Sequence, residues 1–119
     1  MSQFNQKHII YAKDPLFTCV KLGITNIFAG VSTMGFHDIL EGDTVTFINH
    51  HLGFKRMYTV EVTHVRMYDN FSQLLENETV EKCLPGVDSI NDAMKYYHQL
   101  YSEEDLTKYL SKVVEFVPV

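Results

Sequence analysis

The chain has 119 residues, 45% of them hydrophobic and 13% aromatic, and a formal net charge of −5. That length suits one domain, residues 1–119, and that apolar content excludes a disordered chain. No apolar run approaches bilayer length, which excludes a helical membrane span, and the negative charge argues against strong non-specific nucleic-acid affinity.

Residues 8–12 (HIIYA) read as a first strand, where the domain core (about 8–117) begins. Asp14-Pro15 is a helix start, with Asp14 to cap the open N–H groups and Pro15 at the first helical position. The helix runs to about residue 22, and Gly23 supplies the residue just past its end. Residues 25–29 read as a second strand, and 30–41 as a loop with a short turn at 36–40. Residues 44–48 form a β-branched and aromatic strand, 49–53 a polar connection, and 55–68 a long return strand. Its alternation slips at His64, which predicts a bulge and a curved sheet.

Beyond Tyr68 the period becomes helical. Asp69 or Asn70 caps a short helix over 71–76, Thr79 caps a turn over 80–83, and Pro85-Gly86 ends it. Ser89 opens a helix with Ile90, Ala93, Met94, Tyr97, Leu100 and Tyr101 on one stripe. Ser102 opens a further turn, and 112–117 (KVVEFV) closes the chain as a strand. The fold class is α+β, a small twisted barrel or sheet with helices on one side.

The stretch MSQFNQKHII has no signal-peptide pattern, so the expected location is cytoplasmic or nuclear. Cys19 and Cys83 form no CxxC pair and are expected as reduced, buried thiols. No metal-ligand or nucleophile motif is present, and neither metal nor cofactor is expected. His50 and His51 are adjacent on an extended segment and point to opposite sides, a poor metal pair. Residues 1–60 carry five Lys/Arg against four Asp/Glu, whereas 61–119 carry five against eleven. An anionic partner therefore meets the first half, plus Arg66. Lys13, Lys21, Lys55, Arg56 and Arg66 are the candidate phosphate contacts, with Tyr58 and Tyr68 as stacking rings.

The runs GDTVTF, VEVTHVRMYDNFSQLL and EKCLPGVDSINDAMKYYHQLYSEED, followed by a hydrophobic strand, resemble the ASCH domain over roughly residues 10–117. The resemblance implies a PUA-like barrel and an RNA-binding or RNA-processing module. Some members deacetylate N4-acetylcytidine, and ribonuclease activity is known for others. The family's cleft run, of the form G-x-K-T-x-E/T-x-R, stands here as Gly23-Ile24-Thr25-Asn26-Ile27-Phe28-Ala29-Gly30. Thr25 replaces the lysine, Phe28 the acid or hydroxyl, and Gly30 the arginine, so amine, carboxylate and guanidinium are all lost. The expectation is a non-catalytic RNA-binding domain, a possible pseudoenzyme, whose cleft is lined by Thr25, Phe28, His37 and His64. The alternatives are an RNA-processing or modified-nucleoside enzyme using His37, Asp38, Thr25 and Lys21, and a protein-interaction adaptor.

Overall fold

A computed structural model describes residues 5–14, 16–33, 36–51 and 53–119. Five strands form one strongly curled sheet in the order β1-β3-β4-β5-β2: β1 Lys7–Tyr11, β2 Ile27–Val31, β3 Thr44–His51, β4 Phe54–Tyr68 and β5 Ser111–Pro118. β1 runs parallel to β3, and the other pairs are antiparallel. Between Val62 and His64 the β4–β5 register shifts, so the bulge stands where the alternation slips. The result is a half-barrel with two free edges, β1 and β2.

Alternation along the strands decides what each face meets. Val45, Phe47, Val60, Val62, Val114 and Phe116 fill the concave side, together with Phe17 and Val20 of helix α1 (Leu16–Lys21). A tilted run of rings links Phe28, Phe47 and Phe116 at 5.5 and 5.4 Å between centroids. Ile27, Ala29, Val31 and Val113 face outward into a second core. There they meet α2 (Phe71–Glu78), α3 (Val80–Cys83), α4 (Ile90–Leu100) and α5 (Glu103–Lys108). Phe71 packs on Tyr97 at 4.3 Å, and burial of such a ring contributes roughly 1.5–3 kcal/mol.

The helix signals act as capping chemistry requires. Asn70, Ser89 and Ser102 each accept an N–H from the third residue on, and Gly23 ends α1 at φ +76°. Asp14 accepts from the Thr18 N–H and hydroxyl, while Pro15 lies outside the described residues. Two boundaries differ from expectation. β2 starts at Ile27, because the buried Thr25 hydroxyl donates to the Lys82 carbonyl and draws that residue out of the strand. β3 continues to His51, because Asn49 and His50 still pair with Arg56 and Lys55, leaving a tighter hairpin than 49–53 implied.

Both cysteines are buried. Burial pushes the Cys83 thiol up to about 12, and burial also raises the Tyr96, Tyr97 and Tyr101 phenols. Stability from these groups is complete below their unfolded-state values and is lost as pH rises through the folded ones. Lys112, lowered by desolvation, acts in the opposite sense. Cys83 leads, since the unfolded thiol ionises from 9.0, before the tyrosines at 10.0. Unfolding free energy is therefore expected to fall above pH 9, with Cys83 contributing a slope of about 1.4 kcal/mol per pH unit. Urea titrations from pH 8 to 10 should show a shallower decline for Cys83→Ala. Equal slopes would place the loss elsewhere.

Candidate functional site

The opening between β1 and β2 holds a cleft of about 590 Å³ lined by the whole of β1 with Phe28, Phe36, Ile39, Leu100 and Tyr101. Phe36 reaches it from a 3-10 turn, Phe36–Asp38, and meets Phe28 edge-on at 5.9 Å. Phe28 points inward because it alternates with Ile27 and Ala29, which face the helices.

Lys112 fixes the Phe36 turn. Its side chain starts inside β5, in phase with Val114 and Phe116, and the residue is only 2% exposed. The ammonium donates to the carbonyls of Phe36, His37 and Ile39 at 2.7, 3.0 and 2.7 Å, and lies 5.5 Å from the Phe36 ring. Desolvation lowers its pKa against the pull of Asp38 and Asp43. Three donors with three acceptors leave it no hand for a ligand.

Gly30 faces Lys112 across the β2–β5 ladder. A Cβ built there would lie 2.9 Å from both Phe36 Cε2 and Tyr101 Oη. Two rings thus occupy the room an arginine would need at this position. Gly30→Ala is expected to cost about 1–3 kcal/mol through overpacking, read by urea denaturation. A neutral result would mean the rings swing clear.

At the other end of the cleft, His8 Nε2 lies 2.8 Å from Asp43 Oδ2. Asp43 also accepts the backbone N–H groups of Gln6 and Leu40 at 2.9 and 3.0 Å. Burial works to raise this carboxyl, but those donors and His8 outweigh it and hold it below its usual range.

The residues singled out from sequence disperse. Of the expected cleft lining, only Phe28 borders this cleft. Thr25 is buried on the helix side against Lys82. His64 is exposed on the outer face, 3.8 Å from Glu115 Oε2, because the bulge turns it away from the concave side. His37 borders a neighbouring hollow with Ser32, Thr33, Asp38 and Tyr109, and there Ser32 Oγ lies 2.9 Å from its Nδ1.

Among the basic set, Lys13, Lys21 and Lys55 are exposed. Arg56 bonds Asp14 at 2.6 Å and Asn49 at 2.9 Å and covers the Phe17 ring. Tyr58 is half-buried against the concave core. Arg66 is not available to a phosphate: it chelates Glu78 at 2.5 and 2.9 Å and reaches Glu115 at 2.8 Å. Tyr68 donates its hydroxyl to the same Glu78. Burial raises Glu78, but the Arg66 and Tyr68 hydrogen bonds leave its pKa lowered, so it stays anionic and neutralises Arg66. Both residues belong to a strut between β4, β5 and α2.

His8, Asp43, Lys112 and Tyr101 were not singled out as site residues. The alternation of HIIYA puts His8 inward with Ile10, and that of KVVEFV puts Lys112 inward with Val114.

Among the described residues no cluster of three or more His, Cys, Asp or Glu side chains stands ready for a metal ion, and no helix is long and apolar enough to cross a membrane. No family model matches the chain, and no curated protein matches it. Solved structures do. The crystal structure of hypothetical protein PH0355 has a TM-score of 0.81 to this chain at 29% identity, covering 96% of this chain and 99% of that one. The solution NMR structure of protein PF0455 from Pyrococcus furiosus has a TM-score of 0.75 at 27% identity, covering 95% and 97%. The chain is thus similar, along nearly its whole length, to these two hypothetical proteins built on a curled half-barrel sheet with helices.

Proposed function

We propose that this is a non-catalytic domain of the PUA-like, ASCH type that binds single-stranded RNA in the cytoplasm or nucleus. An unstacked base would enter the cleft between β1 and β2. The observation that carries this reading is the cleft wall: Phe28, Phe36 and Tyr101 border one open volume, with Lys7 also on its lining. Aromatic faces stack on bases whatever the sequence, at about 1–3 kcal/mol per base.

The charge distribution shapes the expected behaviour. With Arg66 neutralised and Arg56 tied to Asp14, the exposed cations Lys7 on β1, Lys13 just past it and Lys55 on β4 are left for phosphates around the cleft and hairpin. Three such contacts give a salt slope of about −2 for a single strand. Fluorescence anisotropy with a panel of short RNAs, modified cytidines included, at two salt concentrations tests this. Phe36→Ala is expected to weaken binding by about tenfold or more, and Lys55→Ala to flatten the salt slope. No binding at low salt would end the RNA reading.

One contact favours a second reading, an enzyme acting on RNA or a modified nucleoside. Ser32 Oγ and His37 Nδ1 at 2.9 Å form a nucleophile–base pair beside Asp38. Turnover of N4-acetylcytidine or labelled RNA that disappears in His37→Ala would favour it. No turnover at high enzyme concentration would remove it.

A further inference from the structure

Asp43 stands behind His8, which lines the cleft, and its bonds constrain that histidine. It is an anion and an acceptor only, already taking the Gln6 and Leu40 N–H groups. Nε2 of His8 must therefore carry a proton and donate to Asp43 Oδ2. In the neutral ring this leaves Nδ1 as an acceptor. Among the described residues Nδ1 makes no hydrogen bond, yet it is not among the sealed, unsatisfied atoms, of which Ser111 Oγ is the one found. His8 lines the cleft, on the inward side of β1 with Ile10. A histidine that served only to anchor β1 would need the Nε2 bond alone. This one brings a second, reachable nitrogen, an acceptor in the neutral ring, to an aromatic cleft.

We propose that His8 is the base-reading residue of the cleft, with Nδ1 accepting an N–H from the edge of an unstacked nucleobase while Asp43 holds the ring in the tautomer that allows it. The inference rests on the nucleic-acid reading above and adds a specificity to it. Stacking on Phe28 and Phe36 accepts any planar base. The fixed acceptor selects a base edge that donates N–H, and disfavours one that offers only acceptors, because two acceptors would then face each other without a proton.

The test uses the wild-type chain. Long-range 1H–15N NMR of the free protein reads the tautomer of His8 directly. The expected result is a protonated Nε2 and an unprotonated Nδ1; a proton on Nδ1 in the free protein overturns the inference whatever RNA does. The second arm compares short oligonucleotides in which one adenine is replaced by purine, or one cytosine by 2-pyrimidinone. Each replacement deletes the amino group without adding bulk. Binding is expected to weaken by about tenfold, and the Nδ1 resonance to shift on binding the parent oligonucleotide only. Equal affinities with an unmoved Nδ1 would overturn base reading by His8 and leave RNA binding standing. No binding of any oligonucleotide would remove the nucleic-acid reading and this inference together.

Discussion

Lys112→Met is expected to destabilise the fold by about 3 kcal/mol or more. The reason lies in the acceptors. Methionine matches the stem in length and removes the cost of keeping a charge in the interior. It leaves the carbonyls of Phe36, His37 and Ile39 without the donor that now joins them. The Phe36 carbonyl keeps the Ile39 N–H, but those of His37 and Ile39 lose this donor, and at about 1–3 kcal/mol for each unpaired buried group they outweigh the relief from losing one desolvated ammonium. Lys112→Arg is expected to fail as well, since a planar guanidinium cannot converge on three carbonyls as an ammonium does. Urea denaturation with an unchanged m-value would report the loss as stability alone. A midpoint within experimental error of wild type would show that water satisfies the turn, and that Lys112 does not hold it. A real loss should also loosen the Phe36 turn, read as faster hydrogen exchange over residues 36–39.

Asp43→Ala is expected to cost about 2–4 kcal/mol, on the scale of charged hydrogen bonds in partly closed sites. The carboxylate ties two separate pieces together: the start of β1 through Gln6 and His8, and its own turn before β3 through Leu40. Alanine would strand two backbone N–H groups and release the β1 edge. Asp43→Asn keeps an acceptor and should cost less. The pH dependence follows from the direction of the shift. The folded carboxyl lies below its ordinary 3.8, so its contribution is complete above that value and lost as pH falls through the folded one. Hydrogen exchange should show β1 amides opening first in Asp43→Ala. Protection of β1 equal to wild type would mean that its ladder with β3 holds the strand unaided.

Local chemistry made much of this molecule legible. Alternation and its slip placed β4 and its bulge. Asn70, Ser89 and Ser102 announced their helices, and Gly23 ended α1. Even the inward direction of His8 and Lys112 is implicit in period two, though a charged residue in a strand reads first as solvent-facing. The partners were another matter. Arg66 looked like a phosphate contact because Glu115, 49 residues away, was not visible as its neighbour. His64 looked like a cleft residue because a bulge reverses which side of the strand faces out.

The sequence by itself determined which segments become helices and strands, because caps, turns and periodicity act over a few residues. Only the tertiary structure decided where the cleft lies and which charges remain to act in it. His8 meets Asp43 across 35 positions, and Lys112 meets the Phe36 carbonyl across 76. A side chain's chemistry is set by what lies within a hydrogen bond of it, and curling the sheet brings those partners from parts of the chain that no local pattern connects.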